Sequence, residues 1–262
     1  MKYLKYMINR QPLISVLVVI VLVAVVLFGF FILSVSLVKT PSLAQAGAMS
    51  LTGLILLLVL FRSGASSAAG ISLSPGEWGR YWWTVSLLMS VLVLTSFLMD
   101  RVNVEALVFS YRHALEWILQ NMATGFLEEV WFRGVCFYLL YRAWGSTRTG
   151  LFKAAATQAL LFGLLHLANL HRSDLVHVLY QTGWATFIGF GFAGLTAYSR
   201  SIWPAITLHA FINAASNVDN FFAGPGYIYP EFSMSKLIIA NVLFFIFAVL
   251  PGIWCLRRAP LK

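Results

Sequence analysis

From Leu13 to Val38 the chain runs without one charged side chain, and Leu, Ile, Val, Ala and Phe fill most of it. Two fates are open to such a run: a helix kept in a membrane, or a secretory signal that is removed. The basic start Met1-Lys2-Tyr3-Leu4-Lys5 with Arg10, and Ala44-Gln45-Ala46 beyond the run, imitate a signal peptide. The apolar stretch, however, far exceeds the roughly 7–15 residues of a signal core. It matches the about 20 residues that a helix needs to cross hydrocarbon. The run therefore reads as a retained transmembrane helix.

Similar stretches recur at 43–61, 81–99, 118–141, 154–170, 175–198, 202–222 and 236–256. Backbone groups in lipid must be satisfied within their own segment, so each stretch predicts a helix. The expected fold is an all-α polytopic membrane protein of about eight transmembrane helices, one transmembrane domain over 1–262. Composition agrees, with 60% apolar and 10% charged residues against about 45–50% and about 25% in soluble domains. Disorder, collagen, coiled coil and a disulfide scaffold are excluded. Cys136 and Cys255 lie inside apolar runs and suggest neither a disulfide framework nor a thiolate metal cluster.

Between the spans, Ser63 to Gly79 is rich in Ser, Gly and Ala and contains Pro75-Gly76, which predicts a loop. Residues 106–117 mix Arg112, His113 and Glu116 with apolar side chains. That mixture predicts an interfacial amphipathic helix leading into the fourth span. The net charge of +9 does not point to nucleic acid, because no segment has a clustered basic face. Its distribution instead sets orientation. With both ends cytoplasmic, twelve Lys and Arg fall on the inner side, five on the outer, and Arg133 within a span. The positive-inside rule favours that arrangement.

Ionisable groups at membrane depth are costly and by default mark function. Glu128, Glu129, Arg133, His166 and His209 meet that description, with Asn213 as a neutral companion. Glu129 and Arg133 stand at i and i+4, as do His209 and Asn213, so each couple shares a helix face. Glu128 is turned about 100° from Glu129, so the two carboxylates need not share an environment. A bland reading stands beside the functional one: Glu129 with Arg133 as a structural pair, and the histidines as packing residues. Two glutamates and two histidines on three spans weigh against a purely structural account.

A glutamate and a histidine can hold and deprotonate a water. A second histidine and an amide can donate hydrogen bonds to the oxyanion that develops on a peptide carbonyl. Together they would hydrolyse a peptide bond without a covalent nucleophile. Other plans fit poorly. No H-E-x-x-H helix is present; Gly189-Phe190-Gly191-Phe192 lacks the acid of an aspartyl site; no G-x-S on a span comes with a suitably placed histidine.

Glu128-Glu129-Val130-Trp131-Phe132-Arg133 resembles the E-E-x-x-x-R motif of the CAAX protease and bacteriocin-processing (CPBP) family. Phe162-Gly163-Leu164-Leu165-His166 resembles its F-x-x-x-H motif, and His209-Ala210-Phe211-Ile212-Asn213 its H-x-x-x-N motif. Three motifs in the right order on successive spans, over 128–213, make a specific signal; the helices at 13–99 and the last span carry no recognised motif. The resemblance implies a glutamate-type intramembrane endopeptidase, of the type II CAAX prenyl protease kind, in a bacterial inner membrane. Its substrate would be a membrane-associated protein or peptide met within the bilayer.

Carried over position by position, Glu128 would activate water with His166, in an intramembrane cavity, while His209 and Asn213 would form the oxyanion hole. Glu129 and Arg133 would hold the site in shape, and Phe162 would pack beside His166. No cofactor is expected, although Glu128, His166 and His209 could in principle hold zinc. Gly125, Gly134 and Gly163 would let helices approach closely there. The alternatives are a non-catalytic immunity or scaffold protein of the same fold, and a proton-coupled transporter with Glu128 and His166 as relay.

Overall fold

A computed structural model describes residues 10–71, 81–99, 108–223 and 234–262. Lys2, Lys5, Arg80 and Arg101 of the charge distribution lie outside the described residues, as do 72–79 of the expected loop and 106–107 of the expected interfacial helix.

Helices α1 (Pro12–Leu37) and α2 (Pro41–Arg62) both open with proline in the first turn, where the missing N–H would have had no helical partner. Along α1, Val16, Ile20 and Val23 are buried while Leu17, Val21, Val25 and Phe28 face outward. That outward apolar stripe suits a lipid solvent and not an aqueous one. After the second loop come α3 (Trp82–Met89) and α4 (Val91–Met99), parted by a turn at Ser90. The strand β1 (Val108–Phe109) pairs antiparallel with β2 (Phe222–Ala223).

The central rod is α5 (Tyr111–Glu129), a π-helical stretch over Val130–Phe137, and α6 (Tyr138–Trp144). Next come α7 (Arg148–Leu165), a 3-10 turn over His166–His171, and α8 (Leu175–Ser199). The chain continues as α9 (Trp203–Ser216) and a 3-10 turn over Val218–Phe221 into β2. It closes with α10 (Met234–Phe244), π-helical turns over Phe245–Val249 and α11 (Leu250–Arg258).

The protein is thus an all-α membrane protein with one two-residue strand pair among the described residues, and helix occupies each of the eight stretches read from the sequence. Among the described residues, four helical rods are long and apolar enough to cross a membrane: Pro12–Leu37, Pro41–Arg62, Arg148–His171 and Met234–Arg258. Three expected boundaries are corrected. Residues 106–117 are not a separate interfacial helix: 108–109 form β1, and Tyr111 starts the same rod that carries the glutamates. Its first turns are fastened to α2, with Arg112 paired to Glu116 at 2.7 Å and Ser42 donating to Glu116. The stretch expected at 154–170 starts at Arg148, because the Thr147 hydroxyl caps the helix by accepting from the Gly150 N–H. The stretch expected at 202–222 is α-helical only over the 14 residues of α9. It stops there because the Asn217 carbonyl leaves the helix and accepts from the Trp117 indole at 3.0 Å.

Helices α7 and α8 form an antiparallel hairpin; α5 lies between α2 and α9, α8 also packs on α11, and α9 on α4. A Cβ on Gly125 would stand 2.8 Å from the Ala210 nitrogen. Only glycine lets α5 and α9 meet backbone to backbone, one residue from His209. Gly163 does the same between α7 and Thr182 of α8. Gly134, expected to act likewise, meets only side-chain atoms at ordinary contact distances of 3.6–3.8 Å.

Candidate active site

Glu128 and Glu129 occupy the last turn of α5, where the helix loosens into π-helical winding. Such bulges are uncommon and concentrate at functional sites. Glu129 and Arg133 are both fully buried, and Arg133 Nη1 lies 2.8 Å from Glu129 Oε1. The guanidinium also sits over the ring of Phe162 at 4.6 Å and that of Phe192 at 5.5 Å. A buried cation thus gains one carboxylate and two aromatic faces, which offset part of its desolvation.

His209, buried on α9, reaches both glutamates. Its Nδ1 lies 2.6 Å from Glu129 Oε1, and its Nε2 lies 3.5 Å from Glu128 Oε2. The helical offset between the carboxylates is therefore bridged by one imidazole, and they share an environment after all. The environments differ in access: the Glu129 side chain is sealed, whereas that of Glu128 is 22% exposed. A carboxylate against Nδ1 fixes ring orientation, as a supporting carboxylate does for many functional histidines.

Phe162 stands between the two histidines, its ring 5.1 Å from that of His166 and 6.0 Å from that of His209. His166 begins the 3-10 turn after α7, and its Nδ1 lies 3.0 Å from the Phe162 carbonyl. A carbonyl only accepts, so Nδ1 carries a proton, and in the neutral ring Nε2 holds the lone pair. Partly exposed, His166 joins the cluster through the Phe162 edge and not through a bond to Glu128. Asn213 is partly buried one turn beyond His209; its side chain forms no hydrogen bond among the described residues. The structure thus gathers Glu128, Glu129, Arg133, Phe162 and His209 into contact and places His166 and Asn213 at their margin. Among the described residues, no group of three or more His, Cys, Asp or Glu could hold a metal ion. Glu128, His166 and His209 do not form such a group.

Sequence reasoning missed three contributors. Phe192 covers Arg133 and lies 6.0 Å from the His209 ring. The Gly189–Phe192 run was informative only as glycines that let α8 approach, with an aromatic between them. Asn121 and Asn217 exchange side-chain amide hydrogen bonds, both 3.1 Å, joining α5 to the end of α9. The spacings Asn121–Gly125–Glu129 and His209–Asn213–Asn217 hold the signal, each step being one helical turn on one face.

Residues 110–215 match the family model of Rce1-like, type II CAAX prenyl endopeptidases. A Bacillus subtilis (strain 168) protein named "Putative membrane peptidase YdiL" is 28% identical over 125 residues, 48% of this chain. The alignment covers 45% of that relative, so the chain spans less than half of its length. No solved structure matches the chain. The matched stretch runs from the start of α5 to the end of α9 and contains all three motifs and every residue of the polar cluster. Over residues 110–215, then, the chain is similar to the Rce1-like, type II CAAX prenyl endopeptidase family.

Proposed function

We propose that the chain is an intramembrane endopeptidase that hydrolyses a peptide bond of a membrane-associated protein or peptide, with water as nucleophile. The observation that carries this reading is the asymmetry of the glutamate pair. Glu129 is sealed against Arg133 and His209, while Glu128, the adjacent residue, is open at 22% and faces the same imidazole. One carboxylate is positioned to build the site and the other to meet a reactant. The Rce1-like match over 110–215 supports the same reading.

In the proposed reaction, Glu128 takes a proton from a water as its oxygen attacks the scissile carbonyl carbon. His166, whose Nε2 keeps a lone pair, orients that water. The His209 Nε2–H and the Asn213 amide donate to the oxygen as negative charge develops on it. Glu128 then returns the proton to the leaving amine, so the site ends as it began. Glu129 and Arg133 hold the imidazole in place throughout, and no step uses a metal.

Substrate trapping tests the proposal. Glu128→Gln, expressed in the native membrane, is expected to retain peptides or proteins that the purified wild type then cleaves. Wild-type protein that leaves every retained species intact, or Glu128→Ala that cleaves at the wild-type rate, would overturn it.

A further inference from the structure

Away from the polar cluster, an apolar slot of about 560 Å³ opens between α3 and the rod formed by the last π-helical turns and α11. Val85 and Leu88 form one wall and Ile246 and Leu250 the other, with Tyr81 and Trp254 at one end. From Ile246 to Trp254 the slot runs about 12 Å along the helix axis, at ~1.5 Å per residue. The aromatic end has the character of a membrane interface. Trp254 packs edge-on against Tyr81 and Tyr198, with centroids 6.4 and 5.3 Å away. Tyr and Trp concentrate at headgroup level, where a ring meets hydrocarbon and its polar tip meets water.

At that end the central guanidinium carbon of Arg258 lies over the Trp254 ring, 4.2 Å from its centroid. A guanidinium offers five N–H donors in a planar fork that suits phosphate oxygens. Arg257 and Arg258 are both exposed, and neither forms an ion pair with a carboxylate among the described residues. The slot walls are almost wholly apolar, so a peptide backbone lying there would leave its N–H and C=O groups unsatisfied. An occupant needs a hydrocarbon body and an anionic head.

We propose that the slot binds one anionic phospholipid, an acyl chain lying between α3 and α11 and the phosphate held by Arg258 and Arg257. This depends on none of the residues of the polar cluster and is independent of catalysis.

Native mass spectrometry of the full chain in mild detergent, with phosphatidylglycerol and phosphatidylcholine of identical acyl chains, tests it. The wild type is expected to retain phosphatidylglycerol in preference. A basic residue near a charged lipid surface is worth about fivefold in binding. Arg257→Gln and Arg258→Gln should each lower phosphatidylglycerol retention by about that factor and lower that of phosphatidylcholine, whose choline offsets the phosphate charge, by less. Leu88→Trp fills the slot from a position already 46% exposed, and should lower retention of both lipids. Equal retention of the two lipids by the wild type would overturn the proposal. So would phosphatidylglycerol retention unchanged in both Arg258→Gln and Leu88→Trp.

Discussion

The Nδ1 of His209 lies 2.6 Å from Glu129 Oε1, and the same carboxylate oxygen lies 2.8 Å from Arg133 Nη1. One buried oxygen therefore anchors both an imidazole from α9 and a guanidinium from the π-helical stretch beside it. Removing that oxygen releases two groups at once. Glu129→Ala should lower thermal stability by about 3–5 kcal/mol, the usual result of breaking a buried ion pair from one side, and should abolish activity as well. Glu128 makes only a 3.5 Å contact and is partly exposed. Glu128→Gln should therefore remove activity while leaving melting nearly unchanged. Melting both variants beside the wild type in detergent checks this, and a larger loss for Glu128→Gln would reverse the roles assigned to the two residues.

The histidines divide in a similar way. Both His166→Ala and His209→Ala should lower turnover by at least ~10²-fold, since each removes a group proposed to act in the transition state. Only His209→Ala should also destabilise the fold, because it strips Glu129 of one partner inside a sealed site. His166, partly exposed at the start of a 3-10 turn, supports no buried charge. Turnover and melting measured on the same preparations distinguish the two. Equal stability losses would place His166 within the structural core of the site.

How much of this was legible in the sequence follows from which interactions are local. The Glu129–Arg133 contact spans four residues of one helix, so spacing alone revealed it. Apolar length likewise located eight helical stretches, because the bilayer sets a minimum that local composition must meet. The His209–Glu129 bond joins residues 80 apart and depends on how closely α5 and α9 pack at Gly125. No periodicity encodes that approach. The short α9 was misread for a related reason. Asn217, Asp219 and Asn220 make half of residues 217–222 polar, and the carbonyl at the end of α9, that of Asn217, is taken by the Trp117 indole, 100 residues earlier. The roles of Glu128, His166, His209 and Asn213 came from family resemblance, and Phe192 had no motif to mark it.

The Asn121–Asn217 pair offers a test of register. Its two hydrogen bonds lie two helical turns from Glu129 on α5 and from His209 on α9. They should therefore fix how far α9 slides along α5. Asn217→Ala leaves the Asn121 amide oxygen buried without its donor, while its nitrogen keeps the Trp117 carbonyl; such a loss is worth about 1–3 kcal/mol. The expected result is a lower melting temperature, with the rate constant for cleavage falling more than the apparent substrate affinity. The double variant Asn121→Leu with Asn217→Leu should recover part of the stability but not the rate, because an apolar pair fills space without setting register. Recovery of both would show that the amides act only as packing.

Orientation can be read at two loops. Ser146, between α6 and α7, and Ser173, between the 3-10 turn and α8, are both exposed. The native Cys136 and Cys255 are buried, so a single introduced thiol dominates labelling. Arg142, Arg148 and Lys153 flank Ser146, whereas Arg172 is the one Lys or Arg in the connection that holds Ser173. The positive-inside rule then places Ser146 in the cytoplasm and Ser173 outside. In intact cells an impermeant thiol reagent should label Ser173→Cys and spare Ser146→Cys until the membrane is permeabilised. Labelling in the opposite sense would invert the molecule. Labelling of both in intact cells would mean that α7 with its 3-10 turn does not cross the membrane, and the alternation of eight spans would fail at that rod.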